Sequence, residues 1–151
     1  MRSRNFKYAN GHTSGTYTTT STSFADIDTS LLVVTIEAQA GDVLDIDLLS
    51  ASFFTTINPS DVILQYTLGG IVTTTTGTAA PIAWTINTAG VLYPSANLRF
   101  METVTAPMVA SGAVIVRPQW ATGASMSASL KADTARTPRL VVQNLGPQQP
   151  F

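Results

Sequence analysis

The sequence has no cysteine and only one histidine, His12. Without cysteine the chain forms no disulfide and offers no thiolate to a metal. One histidine cannot build a multi-histidine zinc site within one subunit, and a Ser-His-Asp triad would have to recruit it from a glycine-flanked segment near the N-terminus. These absences predict a non-enzyme with no catalytic residues, no bound metal and no cofactor.

Charged residues are also scarce, at 11% of the chain, compared with about 25% in typical globular proteins. Threonine and serine are abundant in their place. A subunit surrounded by water normally covers itself with charged side chains, so this composition favours a surface that contacts other protein molecules. The alternative is a threonine-covered β-protein exposed to water, because threonine fits the pleated face of a strand.

The few charges are unevenly distributed along the chain. Arg2, Arg4 and Lys7 lie at the start, seven acidic residues without an intervening base occupy positions 26–61, and bases predominate again from Arg99 onward. In a symmetric oligomer such a split could align acidic edges of one subunit with basic edges of the next. The alternative is scattered surface charge of little energetic weight.

Long apolar runs are absent as well. No segment reaches the roughly 18 apolar residues of a membrane-spanning helix, and "MRSRNFKYANGH" lacks the apolar stretch of a signal peptide. We therefore expect a soluble chain with no obvious export signal and no membrane partner. No segment repeats apolar residues at helical spacing for long enough to predict a helix.

Alternating apolar residues are what the sequence does have. "SLLVVTIEA" and "VLDIDLLSASFFT" read as half-buried strands, and turn signals such as Gly41-Asp42 and Asn58-Pro59 recur along the chain. About seven to ten short strands predict an all-β fold, a single antiparallel β-sandwich or jelly roll. The predicted core residues are Leu32, Val34, Ile36, Leu44, Ile46, Leu48, Trp120 and Leu130.

The segments "AVIVRPQW" (113–120) and "SMSASLKA" (125–132) predict a hairpin. Apolar residues of the second segment would face the core, and Ser125, Ser127 and Ser129 would face water or a neighbouring subunit. Pro118, which has no N–H to donate, predicts a sheet edge or a bulge.

The chain divides into a predicted N-terminal arm (1–14), a β-domain (15–146) and a C-terminal tail (147–151). The arm mixes basic and aromatic residues but carries too few charges for firm nucleic-acid binding. Simple disorder is the first expectation for such a segment, and docking on a protein neighbour is the functional alternative to it. Phe6 and Tyr8 would be its anchors and the three bases its charge partners. The predicted docking residues are Arg2, Arg4, Phe6, Lys7 and Tyr8.

Three other patterns suggest chemistry only weakly. Asp45 and Asp47 share a strand face, as a carboxylate pair for Ca²⁺ or glycoside hydrolysis would, but alternation already predicts both to face water. Asp26-Ile27-Asp28 is explained equally well by turn chemistry. The aromatic residues that could stack on sugars, or equally lie in the core or an interface, are Tyr66, Trp84 and Tyr93.

The segments "SGAVIVRPQWATG", "SMSASLKAD" and "PRLVVQNLG" resemble the C-terminal half of small β-domains in bacteriophage virion proteins, which have a jelly roll similar to tumour necrosis factor and C1q. "TSTSFADIDTSLLVVTIEAQAGDVLDIDLL" resembles their opening strands. The resemblance covers residues 15–146. It departs at Ala113-Val114, where these domains often have a histidine, and "IVTTTTGTAAPIAWTINTAG" matches no part of their pattern.

The resemblance implies a homotrimer in which one sheet of each subunit packs near a threefold axis. It implies a virion component, assembled in the host cytoplasm and bound to the major capsid protein or other virion proteins. Because the arm and tail are short and leave no room for a fibre shaft, we expect a capsid decoration (cement) protein. The main alternative is a receptor-binding or fibre/tail-appendage protein that binds host surface glycan. A host C1q-like ligand and a carbohydrate-active enzyme are more distant alternatives.

Overall fold

The computed structural model describes residues 5–55, 60–72, 82–86 and 96–147. These residues form thirteen strands and one 3₁₀ turn at Ala106–Met108. The strands are β1 Asn5–Asn10, β2 Thr16–Thr19, β3 Ala25–Asp26, β4 Val34–Glu37, β5 Asp42–Ala51, β6 Phe53–Phe54, β7 Ser60–Leu68, β8 Ile71–Val72, β9 Ile82–Ile86, β10 Ala96–Thr103, β11 Ala113–Ala121, β12 Ala128–Lys131 and β13 Arg139–Pro147. No helix in this part of the chain is long and apolar enough to cross a membrane.

The strands pair antiparallel in three sheets. A four-stranded sheet has the order β1-β13-β5-β10, and a six-stranded sheet has the order β3-β11-β7-β8, with β4 also pairing with β11 and β9 with β7. A small third sheet has the order β2-β12-β6. The predicted all-β class is confirmed: the chain is an antiparallel β-sandwich, consistent with a jelly roll.

A single hydrophobic core lies between the sheets. On β5 every second residue is buried up to Leu48, because successive side chains of a strand point to opposite faces. Two aromatic contacts connect the sheets: Tyr66 on β7 meets Phe100 on β10 edge-on at 5.3 Å, and Trp120 on β11 lies 6.2 Å from Phe53 on β6. All eight residues predicted for the core are at most 3% exposed.

The predicted hairpin between 113–120 and 125–132 is wrong. Strand β11 pairs with β3, β4 and β7, whereas β12 pairs with β2 and β6 in the third sheet. The serines predicted to face outward are buried at two positions, where Ser129 shares a hydrogen bond with Thr18 at 3.2 Å and Ser127 lies against Thr55. Hydroxyl partners from distant strands allow this burial, since buried polar groups need hydrogen bonds.

Pro118 lies in a strand with neighbours on both sides and in continuous register with β7, and not at a sheet edge or a bulge as predicted. Its carbonyl oxygen accepts a hydrogen bond from Ile27 N at 3.1 Å, so its missing N–H would point to the same side. On that side β4 pairs with β11 only up to Val116, and β3 pairs only from Gln119. The proline therefore occupies the gap between two partner strands, where no donor is required.

Replacing Trp120 by alanine should lower the free energy of unfolding by about 3–5 kcal/mol, because it removes a buried aromatic ring from the contact with Phe53. Urea denaturation measures this change. Phe24→Ala is the matched control, since Phe24 is 36% exposed and its loss should change stability little. A loss below about 1 kcal/mol for Trp120→Ala would contradict its burial.

Candidate assembly surface

The four-stranded sheet presents two rows of side chains on the face away from the core. In the first row Phe6 is opposite Gln143, Gln143 opposite Asp45, and Asp45 opposite Met101. Directly opposite residues share a sheet face, and the residues between them on β5 and β13 are buried. The second row runs parallel to the first. We call the two rows the outer face: Phe6, Gln143, Asp45, Met101, Tyr8, Val141, Asp47 and Arg99.

Exposed apolar side chains are concentrated on the outer face. Among the described residues, five large hydrophobic side chains are exposed, and three of them belong to this face: Phe6, Tyr8 and Met101, at 56%, 57% and 51% exposure. The first two lie on edge strand β1 and the third on edge strand β10. Phe6 and Tyr8 are neighbours, as in apolar patches that bind other molecules, whereas Met101 lies three strands away at the opposite edge of the sheet.

The aromatic end of the outer face is ordered by contacts within the subunit. The rings of Phe6 and Tyr8 lie 6.0 Å apart, and the guanidinium of Arg139 lies 5.2 Å from the centre of the Tyr8 ring. Arg139 Nε also donates to Asn10 Oδ1 at 2.8 Å. This cation–π contact and hydrogen bond hold the aromatic side chains in place, so a binding partner would meet a preorganised surface.

The acidic residues of the outer face have two different environments. Arg99 donates to both carboxylate oxygens of Asp45, at 2.8 and 2.7 Å. Asp47 Oδ1 is buried and has no hydrogen-bond partner among the described residues. Burial and the negative charge of Asp45 raise the pKa of Asp47, although Arg99 partly opposes the shift. A buried acceptor without a hydrogen bond is costly.

The predicted docking residues do not all lie on one surface. Phe6 and Tyr8 lie on the outer face. Lys7 lies on the other face of β1, where it is exposed and is the register partner of Val142. Arg2 and Arg4 lie outside the described residues. The stretch Asn5–Asn10, assigned from sequence to the arm, is strand β1 and pairs with β13 along its whole length; the domain boundaries themselves stay a prediction.

Sequence reasoning missed Arg99 and Met101 as members of this surface. In "LRFMETVT" the alternation is blurred by Met101 and Glu102, and nothing local shows that these residues lie opposite Asp45 and Asp47. The only sequence signal was the charge pattern, in which an isolated arginine follows an acidic segment. A register that pairs positions about 55 residues apart is decided by tertiary structure.

The patterns that hinted at other chemistry have structural explanations. The Asp28 carboxylate accepts hydrogen bonds from Tyr17 Oη at 2.6 Å, from Leu31 N at 2.8 Å and from Ser30 N and Oγ. Burial alone would raise the pKa of Asp28, but these hydrogen bonds outweigh it and lower the pKa to about 2. His12 Nε2 lies 3.6 Å from the same carboxylate. The hydrogen bonds of Asp28 thus connect the turn that precedes β4 with strand β2.

The three aromatic residues that could stack on sugars have different outcomes. Tyr66 is fully buried and lines no surface, whereas the Trp84 side chain and Tyr93 lie outside the described residues. Within residues 5–55, 60–72, 82–86 and 96–147, no three metal-ligating side chains come together.

Comparison with known proteins gives only distant structural likenesses. No protein-family model and no curated protein matches the sequence. Among solved structures, the chain is similar to a VP2 subviral particle of infectious bursal disease virus (8% identity, TM-score 0.46, 96% of this chain and 38% of that chain). It is also similar to the Gt strain of that virus (12%, 0.48, 93% and 37%) and to a VP2 mutant in T=1 particles (10%, 0.45, 93% and 36%).

The chain therefore spans little more than a third of each of these viral chains. Likenesses of this size assign neither a family nor a function.

Replacing Asp47 by asparagine should raise the urea midpoint of unfolding more than Asp45→Asn does, because Asp45→Asn also leaves Arg99 without its carboxylate partner. Because the pKa of Asp47 is raised in the folded state, its charged form destabilises the fold above that pKa and the penalty disappears as the pH falls. The gain from Asp47→Asn should therefore be present at pH 7 and vanish in acid. Both variants are measured in dilute protein, and equal shifts for the two would contradict the assignment.

Proposed function

We propose that the protein is a non-enzymatic structural component of a phage virion, a capsid decoration protein that assembles as a homotrimer through its outer face. The observation that carries the proposal is the concentration of exposed Phe6, Tyr8 and Met101 on one sheet. The charge-poor composition supports it, because such a surface suits burial against protein. The resemblance of residues 15–146 to phage virion β-domains supports the virion location.

In the proposed trimer each outer face lies near the threefold axis. Aromatic residues supply much of the binding energy of many interfaces, and Phe6 and Tyr8, on edge strand β1 of the outer face, would take this role. Arg99 and Asp45 already neutralise each other, so burying them leaves no unpaired charge from that pair.

In the decoration role, the predicted docking residues that are not on the outer face would contact the capsid. Lys7 points away from the outer face and would stay accessible when trimers form. Together with Arg2 and Arg4 it would supply the positive charge that meets acidic groups of the major capsid protein. Such rim charges steer association more than they hold the complex together.

The double variant Phe6→Ser/Tyr8→Ser should have the solution mass of one chain, whereas the wild type has the mass of three. Light scattering at low and moderate salt measures both. The control is Leu31→Ser, because Leu31 is 40% exposed but does not belong to the outer face, and this variant should remain trimeric. A wild type with the mass of one chain, or a double variant with the mass of three, contradicts the proposed interface.

The wild-type protein should bind expanded, undecorated phage capsids and raise their unfolding temperature, because it adds contacts that only the intact lattice offers. Co-sedimentation and differential scanning calorimetry measure the two effects. Absence of binding at micromolar concentration would overturn the decoration role. Adsorption of the trimer to host cells without capsid binding would instead support the receptor-binding alternative.

A further inference from the structure

A groove of about 560 Å³ lies on the exterior of the six-stranded sheet. Ile115, Arg117 and Gln119, the outward residues of β11, form its floor, and the Gly69–Gly70 turn and the 3₁₀ turn form its walls. This volume lies within the roughly 300–1,000 Å³ of small-ligand sites. The groove is on a different sheet from the outer face.

A row of hydrogen-bonded polar side chains crosses the sheet beside the groove. Asp26, Gln119 and Gln65 are in register on β3, β11 and β7. Gln65 Nε2 donates to Gln119 Oε1 at 2.9 Å, and Gln119 Nε2 donates to Asp26 Oδ1 at 2.8 Å. Each bond fixes the orientation of the next amide, so the row is preorganised before any ligand binds.

Residues that line the groove keep unused hydrogen-bonding groups. A glutamine amide has two N–H groups, and only one of those on Gln119 is used by Asp26. The Arg117 guanidinium, whose side chain is 38% exposed, uses one nitrogen to reach Asp26 Oδ2 at 3.1 Å and keeps further donors. Thr67 and Ser111 add hydroxyl groups along the lining. These hydrogen-bond donors and acceptors suit a ligand with hydroxyl or similar groups, which both donate and accept hydrogen bonds.

The charge and shape of the groove narrow the ligand class further. Arg117 is already paired with Asp26, so the site offers no uncompensated positive charge to a phosphate or carboxylate. Ile115 and Pro107 add apolar groups to the lining of the same groove. A neutral sugar combines hydroxyl groups with apolar C–H faces and fits this combination.

One wall of the groove is built by a close backbone approach. Gly69 has φ +57°, and a Cβ added there would collide with the backbone of Met108. Gly69 N also donates to Ile115 O at 2.8 Å. A residue without a side chain thus lets the β7–β8 turn hold the 3₁₀ turn at a fixed distance from the floor.

We propose that this groove binds one unit of a neutral glycan through Gln119 and Arg117. The site goes beyond the proposed assembly role and is independent of it, because none of its residues belongs to the outer face.

Saturation-transfer NMR on the full chain tests the proposal with glucose, galactose, mannose and N-acetylglucosamine at roughly 10 mM, with sialic acid as an anionic comparison. At least one neutral sugar should give a signal, and Gln119→Leu should weaken its binding about tenfold or more. Gln143→Leu, on the outer face, is the matched control and should bind as the wild type does.

Ile115→Trp provides a second variant that fills the groove next to Arg117 without replacing a residue of the hydrogen-bonded row, and it should also abolish the signal. A cooperative urea transition verifies that each variant is folded. The proposal is overturned if no neutral sugar gives a signal, if binding survives in Gln119→Leu or Ile115→Trp, or if sialic acid binds better than every neutral sugar. Because capsid binding and trimer mass are measured separately, failure here is distinguishable from failure of the assembly role.

Discussion

The structure depends on the alternation of strand β5. This strand pairs with β13 on one side and β10 on the other, and its inward residues Leu44, Ile46 and Leu48 are fully buried. A slip of one residue would exchange these side chains with Asp45 and Asp47, and burying two carboxylates against apolar neighbours is too costly to persist. The register of β5 therefore positions both the core and the acidic centre of the outer face.

The two candidate surfaces belong to different sheets and offer different kinds of interaction to a partner. The outer face combines exposed aromatic side chains with charges that are mostly neutralised within the subunit, as suits burial against protein. The groove uses a relay of amide hydrogen bonds over a partly apolar floor, as suits a small neutral ligand. Because they share no residues, a subunit assembled through the outer face would keep its groove. One fold can thus carry an assembly role and a recognition role independently.

Local patterns in the sequence predicted the fold class and the core well, and failed where pairing is non-local. "VLDIDLL" reveals its buried residues because a strand has a two-residue period. Ser127 and Ser129 follow the same alternation but are buried, since Thr55 and Thr18 supply hydroxyl partners from distant parts of the chain. Pro118 was predicted at an edge or a bulge, yet a gap between β3 and β4 admits it in an interior strand. For the outer face, sequence reasoning identified Phe6 and Tyr8 by residue type, but it placed them on a free arm.

The sequence by itself determined that this chain forms strands, which of their residues are apolar, and that cysteine and metal-binding histidine clusters play no part within a subunit. Only the tertiary structure decided which strands are neighbours, and hence that Arg99 meets Asp45 and that Gln119 links Asp26 to Gln65. The physical reason is that alternation specifies the face on which a side chain lies, whereas register and sheet order arise from contacts between residues far apart in the chain. A binding surface consists of side chains from neighbouring strands, so its composition depends on register and sheet order and not on local alternation.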